Sequence, residues 1–270
     1  MARISLEDSH FYLPNWASWD ALKTLHEWHL RRGAAADAPY PNRHAWESIL
    51  HVYFPSHYDQ SQLDIQPDGT AQGIKYLLLR KFFDAASSPS DGYGTGEGLT
   101  LERISVDLPA RVRHLRDILW VKCNPPSTDG TQWASAMRTT VAYLGRRHPA
   151  RAMYLILAVG MHWLPFYWDP TDPRPEGRGL RMAEGNDEEG WYAVTPEVHA
   201  PPGIDAGHID GEGIVHLDRA RTLDCFNGAG PFFADERPKL TYQEDLDFLE
   251  EFLGVVVRHA YAGEHGMSFG

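Results

Sequence analysis

DILWVKCNPPSTDGTQWASAMRTTVAYLGRRHPARAMYLILAV, residues 117 to 159, decides the fold. Two continuous apolar runs, Ile118 to Val121 and Ala152 to Val159, have the length of strands buried on both faces. Between them Trp133, Met137, Val141 and Leu144 recur at helical spacing over 131–144. A buried strand, a crossover that contains a helix and a second buried strand make a βαβ unit, whose crossover is expected to be right-handed. The fold class that follows is α/β, a mixed central sheet flanked by helices.

The flanking sequence extends that unit in both directions. HWLPFYW, 162–168, turns back as another strand, and Pro165 within it points to an edge or a bulge. Upstream, IKYLLLRKFF at 74–83 has strand length between PDGTAQG and the glycine-rich loop SSPSDGYGTGEG. Two helices precede it. Ser18 is placed to cap the first, which carries Leu22, Leu25 and Trp28 on one face and stops at Arg31-Arg32-Gly33. The second carries Trp46, Ile49, Leu50 and Tyr53 and halts at Pro55. Downstream, 169–213 is rich in Pro, Gly, Asp and Glu, and only Trp191 to Val194 has strand character, so a long irregular excursion is expected. Thr241 with Glu244 forms a capping box for a closing helix with Leu246, Leu249, Leu253 and Val256 at helical spacing. With no internal repeat, the 270 residues are expected to form one domain.

Composition narrows the function classes. The net charge of −12 repels phosphates, which disfavours a dedicated nucleic-acid binder. Two cysteines, Cys123 and Cys225, are too few for a disulfide framework and point to a reducing compartment. The longest apolar run, Met153 to Met161, is about half of what a bilayer span needs. The first residues lack a basic region followed by an apolar one. An intracellular protein, cytoplasmic or nuclear and without a membrane partner, is the expectation.

HAWESILHVYFP at 44–55, RDILWVKCNPP at 116–126, TQWASAMRTTVAYL at 131–144 and RAMYLILAVGMHWLPFYW at 151–168 together resemble the restriction-endonuclease-like, PD-(D/E)XK, superfamily, and within it a nuclease-like group of filamentous fungi. The resemblance covers about residues 40 to 170 and is carried also by the element order read above, helix, helix, strand, strand, helix, strand, strand. It further implies a site in which two carboxylates hold Mg²⁺ and a lysine positions the nucleophile. This sequence departs from that pattern. Lys122-Cys123-Asn124 stands where the family has Glu-x-Lys, and Lys75 or Tyr76 stands where the first Asp belongs. Of the acidic set only Glu47 falls on a family position.

The resulting expectation is a degenerate nuclease relative whose cleft is redeployed for a small, partly apolar molecule, without a metal or other cofactor. Lys122 and Glu47 are the proton-handling pair of a metal-independent isomerase or cyclase type of chemistry. Tyr76, Trp120 and Trp133 shape the pocket, and Lys75, Asn124 and Gln132 line it. Each has a plainer reading: Lys122 as a strand-end lysine reaching solvent, Glu47 as an ordinary helix carboxylate, the aromatic residues from Trp120 to Trp168 as core. Two other functions compete. One is a metal-dependent nuclease with migrated acids, Asp64, Asp68 or Asp117. The other is a non-enzymatic interaction module with a filled cleft and an exposed apolar patch. Among fourteen histidines, His199, His208 and His216 with Asp210 and Asp218 invite a metal reading, but their spacing matches no tight ligand motif and a polar loop is favoured. No hydrolase triad and no phosphate-cradling glycine loop is legible.

Overall fold

The computed structural model describes residues 10–12, 17–30, 41–54, 64–65, 71–82, 97–107, 112–124, 131–175, 179–183, 190–224 and 243–262. The βαβ unit is its centre. β4 (Val112–Asn124) and β5 (Met153–Val159) pair in parallel from Leu119 opposite Tyr154 to Asn124 opposite Val159, and α3 (Thr131–Arg147) lies between them in sequence. All seven residues of β5 are buried, as its unbroken apolar run requires. β2 (Ala71–Phe82) and β3 (Glu97–Asp107) extend the sheet antiparallel on one side, beyond which lies the two-residue β1 (Asp64–Ile65). β6 (His162–Trp168) returns along β5 on the other.

Four strands of the sheet, the two-residue β1 and then β2, β3 and β4, therefore precede α3 where two are expected. β3 escapes a periodicity reading because its apolar residues change parity, Leu99 and Leu101 being followed by Ile104 and Val106. β4 also starts six residues before the apolar run, in the polar stretch VRHLRD. Leu101 faces Leu119 and Glu102 faces Asp117, so Ile118 is an extra residue bulged out of β4 where its polar half meets its apolar half.

Helices cover both faces. α1 (Ala17–Leu30), α2 (Pro41–Tyr53) and α4 (Gln243–Ala262) lie on one side, where Leu22, Leu25, Trp46, Ile49, Leu50, Leu246, Leu249, Leu253 and Val256 form a single core with Val121, Cys123, Ile156 and Ala158. The other side is α3, whose Trp133, Met137 and Leu144 pack with Trp120, Leu155 and Leu157. Ser18 is not a cap: it lies within the first turn, and its hydroxyl donates to the Phe11 carbonyl. Thr241, the Arg31–Gly33 stop, Pro55 and the glycine-rich loop up to residue 96 lie outside the described residues.

The excursion after β6 is more ordered than its composition implies. β7 (Arg181–Ala183), β8 (Trp191–Ala193) and β10 (Ile214–Val215) make a second, three-stranded sheet whose Met182 and Val215, with Leu180, Val194 and Val198, complete the core on the α3 side. β9 (Val198–His199) and β11 (Arg221–Thr222) pair with opposite ends of β6. Pro165 falls in the gap between these two short partners, so β6 tolerates a proline although it is not the edge strand expected. Strands of two or three residues are too short to leave a period.

β11 is fastened to the first turn of α4. The Asp245 carboxylate accepts from the Thr222 backbone N–H at 2.9 Å and from the Arg221 guanidinium at 3.1 Å, and that guanidinium lies 3.6 Å over the Phe248 ring. Asp245→Ala is expected to cost about 2 kcal/mol, the scale of hydrogen bonds to a charged group. Urea denaturation measures it, and hydrogen exchange at Thr222 should accelerate. Among the described residues no helix is long and apolar enough to cross a membrane.

Candidate functional site

Alternation along the apolar half of β4 sends Val121 and Cys123 into the core under α1, α2 and α4, and Trp120 into the core under α3. Lys122 shares the parity of Trp120 and pairs with Leu157, which lies in that same α3-side core. It is 1% exposed. The reading of a strand-end lysine reaching solvent is thereby overturned: the amine is one of the largest fully buried side chains in the protein. Burial lowers its ionisation to about pH 8, partly offset by the neighbouring Cys123 thiol. That thiol is pushed up to about 12 by its own burial, against the pull of Lys122 and Arg43. The sheet row through Lys122 runs Lys81, Gly98, Lys122, Leu157, Leu164, so the position beside it on β3 carries no side chain. Trp120, one pleat earlier, is stacked on Tyr143 with ring centres 4.5 Å apart.

Asn124 ends the strand. Its carbonyl accepts from Gly160 N–H at 3.0 Å and from Asn42 Nδ2 at 2.6 Å, which ties the start of α2 and the β5–β6 turn to the end of β4. Gly160 has φ of 60°, a left-handed conformation that glycine adopts without strain. Asn124, one pleat beyond Lys122, is only half-buried. Crevices at the carboxyl ends of parallel strands are where open α/β sheets place their ligands.

The structure brings together only part of the expected set. Lys122 and Trp120 share one face, and Trp133, 8% exposed at the start of α3, packs in the same core. Glu47 does not join them: it is half-buried on α2, a helix that packs its Ala45, Trp46, Ile49 and Leu50 against the opposite face of the sheet. Tyr76 stands in the row of Arg103 and Arg116, and Lys75 in the row of Ile104 and Leu115. These rows are five and six residues from Lys81, which lies in the Lys122 row, or roughly 17–20 Å along the sheet. The side chains of Lys75, Tyr76 and Gln132, and Asp68 as a whole, lie outside what is described.

Mg²⁺ fits these residues poorly. It asks for hard anionic oxygens in near-octahedral array, and a lysine occupies the position the resemblance assigns to a carboxylate. Among the described residues no three His, Cys, Asp or Glu gather as a metal site. Asp117 is engaged elsewhere, 2.9 Å from His148 Nε2 on the α3 side. In the histidine-rich loop, Asp210 takes the backbone N–H groups of Glu212 and Ile214 and lies 3.0 Å from His216 Nε2, a loop-closing role. His208 is buried edge-on to Phe166 and held at about 4 by that burial, hence neutral at pH 7.

Two arrangements escaped the sequence reading. One is the Asp117–His148 pair, joined through Tyr143 to the Trp120 stack. The other is a shallow recess beside α4, floored by Ile118, Met153 and Val256, where the Tyr154 hydroxyl meets His259 Nδ1 at 2.9 Å. Burial pushes that hydroxyl above the usual tyrosine range, so it stays protonated and donates. Each joins residues at least 31 positions apart that no local pattern links. The aromatic residues after Trp120 divide between faces, with Phe166 and Trp168 in one core and Trp163 in the other, which is the packing role. Comparison of the chain with protein-family models, curated proteins and solved structures finds no match.

Proposed function

We propose that this chain is a degenerate relative of the restriction-endonuclease-like nucleases whose cleft, at the carboxyl ends of β4 and β5, binds a small, partly apolar molecule. Lys122 is the group that handles the proton in metal-independent chemistry of the isomerase or cyclase type. The observation that supports this reading is the burial of one lysine on an apolar sheet face, next to Trp120 and one pleat from the half-buried Asn124. Burying an ammonium is costly, so a lysine at this position serves more than solubility. Near its altered ionisation point the amine is available both as a base and as a cation for an anionic group. Glu47, across the sheet, is left out of the chemistry.

The test has two arms. Single- and double-stranded DNA and RNA are incubated with the purified chain and Mg²⁺ or Mn²⁺, beside Glu47→Ala and Lys122→Ala, and no cleavage is expected. Cleavage that Glu47→Ala abolishes would restore the nuclease reading. In the second arm a library of small carbonyl compounds and carboxylic acids is screened by thermal shift. A binder at a hundred times its Kd stabilises the wild-type chain by roughly 2.7 kcal/mol. Lys122→Ala should lose that stabilisation, and a shift equal in both proteins would place the ligand elsewhere.

A further inference from the structure

The ladder between β3 and β4 sorts charge by face. Its register sets Glu102 opposite Asp117 and, one row further out, Arg103 opposite Arg116, so like meets like twice in succession. Like charges directly opposite each other destabilise a sheet, and a group of the other sign beside them relieves the repulsion. On the α3 face the acidic row is met by His148, whose imidazole lies 2.9 Å from Asp117. The arginine row falls on the other face: it is the next row outward from Leu78, Leu101 and Leu119, on the side of α1, α2 and α4.

That face also carries the recess beside α4. Ile118, bulged out of β4 in the stretch between Leu119 and Arg116, is part of its floor, and the Leu119 row continues into its wall as Tyr154 and Tyr167. The arginine row therefore stands one pleat, about 7 Å, from the row that walls the recess. It reads Tyr76, Arg103, Arg116, and the row beyond it reads Ile74, Ser105, His114. Neither holds a carboxylate, although the chain as a whole carries 37 acidic residues against 25 basic. A third arginine comes from α4: burial raises the Tyr154 hydroxyl, and the Arg258 guanidinium pulls it back down. Asp169, one pleat past Tyr167, has a carboxylate oxygen turned into its own loop by the Thr171 and Asp172 backbone N–H groups.

We propose that the recess and the arginine row beside it form a second binding site, for a small monocarboxylate with an apolar body. The planar guanidinium fork matches a carboxylate through two parallel hydrogen bonds. Ile118, Met153 and Val256 offer apolar surface that an inorganic anion cannot use. The site lies at the amino end of β5 and on the face opposite Lys122, so it is independent of the cleft proposed at the carboxyl ends of β4 and β5.

Ligand-detected NMR titration of the full chain tests it, with benzoate and hexanoate as probes and benzyl alcohol and inorganic phosphate as controls. The carboxylates should bind with a Kd of about 1 mM, and the neutral alcohol and phosphate roughly tenfold more weakly or less. Arg103→Gln and Arg116→Gln should each weaken benzoate roughly tenfold, the scale of a lost hydrogen bond to a charged group. The same two variants should raise the melting temperature of the unliganded chain by about 1–2 °C, because a like-charge pair is broken. That opposition separates a binding role from a structural one. Ala152→Leu, which places a side chain into the recess from a half-buried position in its wall, should abolish binding with circular dichroism unchanged. Lys122→Met should bind benzoate as the wild type does. Benzyl alcohol binding as tightly as benzoate would remove the arginines from the site, and phosphate binding as tightly would remove the recess. Loss of binding in Lys122→Met would move the ligand to the other cleft. Each of these results, like an absence of carboxylate binding, would overturn the proposal.

Discussion

Lys122→Met is expected to raise stability by about 3 kcal/mol at pH 7, an unusual gain for a point change in a core. The folded amine ionises near 8 and an unfolded lysine near 10.5, and each unit of difference corresponds to about 1.4 kcal/mol. Below pH 8 the side chain is charged in both states, so the folded state bears the full cost of the buried ammonium. Between 8 and 10.5 the folded chain has released the proton and the unfolded chain has not, so the stability of the wild type rises with pH in that window. Cys123 works the other way from pH 9 upward, because its folded thiol stays protonated to about 12 while the unfolded thiol ionises. The two slopes oppose each other in the wild-type curve, and the difference between wild type and Lys122→Met, both of which carry Cys123, separates them. That difference should be largest at pH 7 and vanish towards pH 10.5 in urea denaturation series. A variant less stable than wild type at pH 7 would mean that the interactions of the ammonium outweigh its burial. A stabilised variant that no longer binds ligand would identify Lys122 as a residue kept at the expense of stability, the usual signature of a functional group.

The sequence was most informative where burial leaves a period. α2, α3, β5 and α4 each show the spacing of the residues that the structure buries, down to Leu246, Leu249, Leu253 and Val256 at 0% exposure. β3 and the polar half of β4 were hidden because a bulge and a run of charges break alternation, and the second sheet because its strands are two or three residues long. The proposed site follows the same division. That Lys122 and Trp120 share a face is legible because parity along a single strand puts them there. Glu47 and Tyr76 join them only through the family positions they occupy, and neither the face a helix covers nor the register of a hairpin is written in local spacing. The antiparallel run β2–β3–β4 sets Tyr76 five rows from Lys122, and only pairing reveals that shift.

Trp163→Ala should be the most damaging single truncation on the opposite side of the sheet, at about 4 kcal/mol. Trp163 is fully buried on β6, edge-on to Trp46 of α2 with centroids 5.7 Å apart, and within 5.9 and 6.4 Å of Phe248 and Phe252 of α4. One indole thus joins the sheet to two helices that have no sequence continuity with it, and removing it leaves a cavity that three elements would have to close together. Its Nε1 is buried and makes no hydrogen bond among the described residues, so the ring works by shape and area alone. Trp163→Phe should then cost only about 1–2 kcal/mol, the volume difference, since no polar partner is abandoned. Trp168 gives the contrast: its Nε1 donates to the His148 carbonyl at 3.1 Å, so Trp168→Phe loses a bond as well as volume, although that carbonyl keeps the Arg151 backbone N–H as a donor. Thermal denaturation of the three variants distinguishes these accounts, with a fall of roughly 10 °C expected for Trp163→Ala in a protein of this size. A fall of only a degree or two would mean that α2 and α4 hold to the sheet without this ring, and that the core beneath them is not the cooperative unit its packing implies.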